Sequence, residues 1–268
     1  MTTADWAQAV LAAQDAATML ARPTQAAAPF SEANGYAVAH AVRELRVGRG
    51  ERPRGYKIGF TNRTIWETYG VHAPIWGPVW THTLQWSDTA NSGVSVRGLV
   101  QPRLEPEIVF GFGTAPRPGM DESALARCID WVAHGVEIVH THYEGWRFGA
   151  ADAVADGALH GRLIVGPQLP LSNFKDPAGE LAALELQLWC DGRCMDRGRG
   201  SHVLDGPMNA VRVWFEAMAT QPCGWDVRPG DVVTTGTLTD AWPIRGGDRW
   251  PTSLSDRRLH GLHLEIVP

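Results

Sequence analysis

The hydrophobic pattern of the first fifty residues predicts two amphipathic helices. In residues 5–21 the apolar side chains recur at spacings of three and four, which places them on one face of a helix that ends before Pro23. The second helix is predicted to begin at Ser31, whose hydroxyl can cap the first turn, and to stop at Gly48 and Gly50. Neither helix carries a cluster of reactive groups, so we expect the pair to cover another part of the fold.

Beyond residue 50 the pattern changes to short apolar or alternating runs, which predict strands. Residues 54–60, 184–188 and 231–239 are three such runs, and Asp191-Gly192 predicts a type I′ hairpin turn after the second. Many strands with few helices between them favour an α+β protein with an antiparallel or mixed sheet over a doubly wound fold.

Two helices are predicted within the strand-rich part. The first has its apolar face at residues 125–132, closes at Gly135 and leads into a strand at 136–140. The second is capped by Asp205 and has Pro207 in its first turn. These helices interrupt the strands without alternating with them, as a βαβ fold would require.

Composition excludes several classes of protein. A formal net charge of -5 and a pI near 6.0 provide no basic field, so nucleic acid is not an expected partner. No run approaches the ~20 apolar residues of a membrane span, and no signal peptide is recognisable. The four cysteines have neither zinc-site nor Cys-x-x-Cys spacing, which indicates reduced thiols in a cytoplasmic protein.

Two carboxylates interrupt the apolar run at residues 104–110. In a strand, Glu105 and Glu107 share one face with their Cα atoms ~6.8 Å apart. A third acid, Glu137, stands in another apolar strand about thirty residues later. Three oxygen ligands suit Mg²⁺ or Mn²⁺ better than zinc and would leave coordination positions for water and a chelating substrate. The alternative is a solvated acidic face on an antiparallel sheet.

Lysine is rare in this chain, because only Lys57 and Lys175 accompany the arginines among its 24 basic residues. A buried lysine can exchange a proton, whereas arginine stays charged. Lys57 lies in a short strand between Gly55 and Gly59, which let a ligand or another backbone approach closely. It is therefore a candidate catalytic group, while Lys175 lies in a polar loop and is interpreted as a surface residue.

His140 and His142 share one face of a strand and raise a second metal hypothesis. A carboxylate ligand would have to follow several residues later, and Glu144 is too near. We therefore interpret both histidines as supporting or surface groups.

Several motifs in fixed order resemble one known family. They are residues 55–59, 102–108, 136–139, 154–156, 207–211 and 236–241. Together they resemble the hydratase and decarboxylase branch of the fumarylacetoacetate hydrolase superfamily, whose members handle 2-oxo acids in the catabolism of aromatic compounds. The resemblance covers nearly the whole chain. It departs from the family pattern at His140, His142 and residues 157–160.

The resemblance implies a fold and a site. The fold would be a distorted, mainly antiparallel β-sandwich or roll of the fumarylacetoacetate hydrolase type, with an N-terminal helical cap over residues 1–80 and a catalytic domain over residues 81–268. A Mg²⁺ or Mn²⁺ ion would be held by the three glutamates, with Lys57 catalytic. The implied substrate-binding residues are Ile75, Trp76, Asp156, His160 and Thr239.

The resemblance also bears on the reaction. Hydratases of the family usually carry an Asp where this chain has Ile75, in a loop at residues 70–77 that we interpret as a connection. This favours a metal-dependent decarboxylase of a vinylogous 2-oxo diacid such as 2-oxo-3-hexenedioate. The alternatives are a 2-hydroxypenta-2,4-dienoate hydratase, a C–C bond hydrolase, or an inactive member that binds a small acid. A homo-oligomer, and a complex with a partner hydratase, are further implied.

Overall fold

The computed structural model describes residues 1–63, 66–69, 71, 73–87, 91–222 and 224–268. Its helices are α1 (Thr3–Ala16), α2 (Glu32–Gly48), α3 (Trp66–Tyr69), α4 (Glu122–Ala126), α5 (Ala150–Ala155), α6 (Pro177–Ala183) and α7 (Pro207–Ala219). Its strands are β1 (Pro53–Gly59), β2 (Ile75–Trp80), β3 (Leu84–Trp86), β4 (Asn91–Ser95), β5 (Arg103–Phe112), β6 (Ile129–Val139), β7 (His160–Val165), β8 (Leu169–Pro170), β9 (Glu185–Cys190), β10 (Arg193–Arg199), β11 (Val232–Thr237), β12 (Trp242–Pro243), β13 (Arg249–Leu254) and β14 (His263–Val267).

The two N-terminal helices are begun by side-chain caps. Thr2 accepts the backbone N–H of Asp5 at the start of α1, and Ser31 caps α2 as its sequence predicts. Helix α1 is shorter than the predicted span of 5–21, because Ala17 adopts a left-handed conformation (φ 51°) that ends it. Apolar residues of both helices form a small core of their own with one residue of α5. Its buried members are Trp6, Ala7, Val10, Leu11, Val38, Val42 and Ala155.

The described strands form two sheets. The larger has nine strands, seven of which follow the order β2-β1-β11-β5-β6-β7-β3, with β12 paired to β5 and β8 to β6. The smaller has five in the order β10-β9-β13-β14-β4. Most pairings are antiparallel, while β1 with β11, β3 with β7 and β4 with β14 are parallel. The predicted α+β, mainly antiparallel fold is therefore confirmed.

The hairpin between β9 and β10 turns at the predicted pair. Asp191 and Gly192 both have positive φ, 46° and 83°, as a type I′ turn requires. Predicted strands at residues 54–60 and 231–239 correspond to β1 and β11.

The helix predicted over residues 125–135 is wrong. Only the short α4 is helical there, and β6 begins at Ile129. The β-branched and aromatic residues that follow pair with β5 along its length, and this tertiary pairing overrides the helical spacing. Gly135 lies within β6 and does not end a helix. A side chain at this position would clash with Val109, because a Cβ there would stand 2.5 Å from Val109 Cγ2.

The cap of α7 is one residue from its predicted position. The cap is Gly206, which has no capping side chain, and Pro207 occupies the first turn as expected. The Asp205 carboxylate instead pairs with the Arg63 guanidinium at 2.8 Å. An ion pair with a distant part of the chain has thus replaced the local cap.

Some predictions lie partly outside the described residues. This is so for positions 70 and 72 of the predicted connection and for Cys223, while Cys128, Cys190 and Cys194 are free thiols. The two long helices of the predicted N-terminal cap end at Gly48, and β1 and β2 join the large sheet. A domain boundary near residue 80 stays a prediction. No helix in the described ranges is long and apolar enough to span a membrane.

Candidate metal centre and active-site cavity

Strands β5 and β6 bring three glutamates together. Glu105 lies directly opposite Glu137 in the antiparallel register, and Glu107 follows on the same face of β5. One carboxylate oxygen from each residue lies within 4.8 Å of the other two. Glu107 and Glu137 are fully buried, and Glu105 is half-buried. The spacing that suggested a shared face in the sequence thus produces a compact cluster of acids.

The cluster has lone pairs that protein groups do not satisfy. Glu107 Oε2 accepts the backbone N–H of Gly236 at 2.8 Å, but Glu107 Oε1 has no hydrogen-bond partner in the described chain. Glu137 Oε2 also has none, although the Lys57 ammonium lies 3.2 Å away as an ion pair. Buried carboxylate oxygens without donors are costly unless a cation binds them. Their chemistry fits a hard divalent ion such as Mg²⁺.

The pKa values of the three glutamates show the same cost of burying clustered negative charges. Burial raises the pKa of Glu105 to about 7, with Glu137 adding to the rise while Lys57 opposes it. Burial and the charges of the other two acids raise the pKa of Glu107 well above its usual range. Burial also acts on Glu137, but Lys57 and the hydrogen bond from His160 outweigh it and lower the pKa of Glu137. Without a cation the cluster therefore retains protons.

Lys57 is the cationic partner of the cluster. Strand β1 places it beside Glu137, and its side chain is 4% exposed. Burial lowers the pKa of Lys57, but the three carboxylates outweigh burial and the pKa is raised overall. Gly59 lies directly beside the ammonium, since a Cβ there would stand in van der Waals contact with Nζ at 3.6 Å. Its protonation state therefore depends on what neutralises the acids.

His160 lies behind the cluster. Its Nδ1 is 2.8 Å from Glu137 Oε1, and its Nε2 is 2.7 Å from the Thr83 hydroxyl. The side chain is 3% exposed and is not among the residues that line the cavity in front of the glutamates. The sequence-based role in substrate binding stays a prediction, while the observed contacts are with a carboxylate of the cluster.

Two other predicted substrate-binding residues also lie away from the cavity lining. Asp156 Oδ1 is 2.7 Å from His142 Nδ1, and both side chains are buried. Trp76 packs against Tyr36 with ring centroids 4.4 Å apart. Neighbouring strand residues face opposite ways, so Ile75 lines the cavity while Trp76 does not. His140, which accepts the backbone N–H of Val100, is buried as well, so neither predicted supporting histidine is a surface group.

A cavity of about 260 Å³ opens onto Glu105 and Lys57. Ile75 and Thr239 line it as the sequence predicts. Its apolar and aromatic side chains are Ile58, Phe60, Ile75, Val139, Trp146, Phe148, Ala158, Leu159 and Ala241. Short polar groups from the segments that follow β1 and β11 line it as well. The cavity thus combines a largely apolar lining with Glu105, Lys57 and a few polar side chains.

Arg103 and Trp146 are among the lining residues that the sequence did not single out. Arg103 begins β5 on the face of Glu105, and its guanidinium carbon lies 4.0 Å from the ring centre of Trp146. The period-two pattern that paired the glutamates also includes Arg103 and could have revealed it. Trp146 follows β6 in a short 3₁₀ turn, and no sequence pattern indicates that it approaches β5.

Fold and site together define a β-sheet protein with a carboxylate-lined cavity of the kind that metal-dependent enzymes use. The family model for the C-terminal part of fumarylacetoacetate hydrolase matches residues 73–257. The chain therefore belongs to the fumarylacetoacetate hydrolase family.

Relatives of known activity include hydratases and decarboxylases, both of which are lyases. The chain is 33% identical over 208 residues to 2-hydroxyhexa-2,4-dienoate hydratase of Comamonas testosteroni, covering 77% of this chain and 76% of the relative. It is 29% identical over 219 residues to 4-oxalocrotonate decarboxylase of Pseudomonas sp. strain CF600, covering 81% and 79%. The solved 4-oxalocrotonate decarboxylase from Pseudomonas putida G7, complexed with magnesium and adipate, has the same fold, with a TM-score of 0.89, 23% identity and coverage of 99% and 97%.

The geometry predicts that each glutamate contributes to metal affinity. Changing Glu105, Glu107 or Glu137 to Gln removes one charged ligand, and we expect Mn²⁺ to bind more than tenfold more weakly in each variant, a loss above ~1.4 kcal/mol. Isothermal titration calorimetry measures this, with the exposed Glu265→Gln as the matched control. Unchanged Mn²⁺ affinity in all three variants would contradict a metal site at these glutamates.

The raised pKa values predict that metal binding displaces protons. Below pH 7, Glu105 in the metal-free protein is mostly protonated, so a cation has to displace that proton, and affinity should rise with pH by up to about tenfold per unit for each proton released. The pKa of Glu107 is also raised, by burial and by the charges of the other two acids, so its proton adds to the number released. Titrations with Mn²⁺ at pH 5.5, 6.5 and 7.5, in buffers of different protonation enthalpy, count the protons. Constant affinity without proton release would contradict the expectation.

Proposed function

We propose that this protein is a Mg²⁺- or Mn²⁺-dependent lyase that decarboxylates a vinylogous 2-oxo diacid of the 2-oxo-3-hexenedioate type. The observation that carries the proposal is the cavity, which has a mainly apolar lining and opens onto the buried lysine and onto Glu105, one of the three clustered glutamates. Named 4-oxalocrotonate decarboxylases at 27–29% identity support this reaction. The magnesium complex of the solved decarboxylase supports the choice of ion.

Glu105, Glu107 and Glu137 would hold the cation. When bound, it supplies a Lewis acid that binds the 2-oxo acid end of the substrate and favours charge on its 2-oxygen. Arg103, on the same strand face as Glu105, offers a second positive charge to the substrate carboxylates. The protein groups therefore orient the substrate before any bond breaks.

The apolar lining acts on the carboxylate that leaves. Loss of CO₂ breaks the C5–C6 bond, and the electron pair moves through the conjugated chain to the 2-oxygen. A carboxylate desolvated by side chains such as Ile75, Val139 and Leu159 is less stable than one in water, which favours its departure. No group is needed to activate water in this step.

Lys57 is the proton donor in this proposal. Once a divalent cation offsets the charge of the glutamates, the causes that raise the pKa of Lys57 are weakened and burial favours its neutral form. The ammonium, which then releases its proton more readily, can donate that proton to the developing enolate, and the neutral amine that remains can recover one from solvent through the cavity.

Hydration of 2-hydroxypenta-2,4-dienoate is the second candidate function. It requires a group that activates water near the far end of the dienoate, and Ile75 cannot do so. Asp240, exposed at the edge of the cavity, is the observation that favours hydration, because its carboxylate could take this role. The 33% identical relative is itself named a dienoate hydratase.

Lys57→Arg tests the proton-transfer role. Arginine keeps the positive charge but does not release its proton, so kcat should fall by about 10²- to 10⁴-fold. Mg²⁺ affinity should change far less, because the glutamates remain. Steady-state kinetics and calorimetry on the same samples separate the two effects, with Lys175→Arg as the control. Full activity in Lys57→Arg would restrict Lys57 to an electrostatic role.

The reaction itself is tested with two substrates. Purified protein with Mg²⁺ should convert 2-oxo-3-hexenedioate to 2-hydroxypenta-2,4-dienoate with one CO₂ per molecule, and should hydrate the dienoate far more slowly. Ultraviolet absorbance follows the dienoate, and a coupled assay measures CO₂. Rapid loss of dienoate absorbance without CO₂ from the diacid would assign the protein to the hydratases. Asp240→Asn should then abolish the hydration.

A further inference from the structure

A buried chain of three polar side chains lies behind the candidate metal centre. It runs from Glu137 on β6 through His160 at the start of β7 to Thr83 in the turn before β3. Its two contacts, 2.8 Å and 2.7 Å, are short, and the Glu137 and His160 side chains are 0% and 3% exposed. Such contacts are strong where solvent does not compete.

Chemistry fixes the direction of the first bond. An ionised carboxylate only accepts hydrogen bonds, so His160 has to carry its proton on Nδ1 and donate it to Glu137 Oε1. In a neutral ring Nε2 is then an acceptor, and the Thr83 hydroxyl is the donor within reach. Thr83 is itself held by Trp80, because its hydroxyl oxygen accepts the backbone N–H at 3.1 Å and lies 3.0 Å from the carbonyl oxygen, a second acceptor for the hydroxyl proton. The bond from Nδ1 to Glu137 and the contact of Nε2 with Thr83 together fix the orientation of the ring.

The hydrogen bond from His160 gives the two carboxylate oxygens of Glu137 different roles. Oε1 is occupied by His160, whereas Oε2 has no hydrogen bond and faces Lys57 at 3.2 Å. Free rotation of the carboxylate would exchange the two oxygens, and the bond to the ring prevents it. Oε2 is thus the oxygen left for a cation.

We propose that His160 and Thr83 are positioning residues that orient Glu137 for divalent metal binding, so that the centre of this chain is built on a carboxylate–imidazole–hydroxyl chain. The inference rests on the metal site of the proposed function but not on the reaction that the protein catalyses. Hydrogen-bonded groups behind metal ligands commonly contribute about 10- to 100-fold to metal affinity. His160 therefore acts on the metal through Glu137, without contact to the substrate cavity.

A pair of variants of similar shape separates orientation from packing. The Asn amide in His160→Asn can place a donor where Nδ1 stood, whereas His160→Leu fills similar space without one. We expect Mg²⁺ and Mn²⁺ affinity within about threefold of the unchanged protein for Asn and a loss of about 10- to 100-fold for Leu. Calorimetry in the absence of substrate measures this, and the exposed His263→Leu is the control.

A second pair covers the case in which His160→Leu does not fold. Thr83→Ser keeps the hydroxyl, and Thr83→Val keeps the shape but leaves Nε2 without its hydroxyl partner. Metal affinity should be retained in Ser and fall several-fold in Val, with both proteins showing cooperative thermal unfolding. Equal affinity within each pair would overturn the proposal and leave His160 and Thr83 as packing residues.

The outcome is separable from that of the proposed function. If the diacid is not decarboxylated but the Asn and Leu variants differ in metal affinity as expected, the positioning role stands and the reaction assignment fails. If the unchanged protein binds neither Mg²⁺ nor Mn²⁺ at millimolar concentration, both fail.

Discussion

Electrostatic repulsion among three clustered carboxylates, two of them fully buried, is the constraint around which this molecule is organised. The β5–β6 register places Glu105 opposite Glu137, and the strand period adds Glu107 to the same face. Each neighbouring element supplies a compensating group. Strand β1 brings the Lys57 ammonium, and β11 contributes the N–H of Gly236.

The backbone of β11 is irregular where it contacts the glutamate cluster. Its register against β5 shifts between Thr234 and Thr237, which directs the N–H of Gly236 to the carboxylate of Glu107 instead of a strand carbonyl. Gly236 has a φ of 95°, and a Cβ there would stand 1.9 Å from the Thr61 hydroxyl oxygen. A side chain at this position would therefore strain the backbone and displace a cavity residue at once.

Sequence patterns predicted the parts of the site that depend on local periodicity. Alternation in a strand placed Glu105 and Glu107 on one face, and capping chemistry located the start of α2 at Ser31. Contacts between distant segments were beyond these rules. The hydrogen bond from His160 to Glu137 depends on how β7 pairs with β6. Whether residues 129–135 form a helix or a strand depends on their pairing with β5. Local spacing suggested a helix there because it contains no information on the partner strand.

The division of the cavity between strands and connections has an evolutionary consequence. The three glutamates and Lys57 stand on strands whose neighbours fix their register, whereas much of the lining comes from connections between strands, such as residues 60–62, 146–148, 158–159 and 239–241. Connections accept substitutions more readily than paired strands. Substrate preference can therefore drift while the ligand geometry is inherited unchanged, which is how relatives of similar identity come to be named for either loss of CO₂ or addition of water.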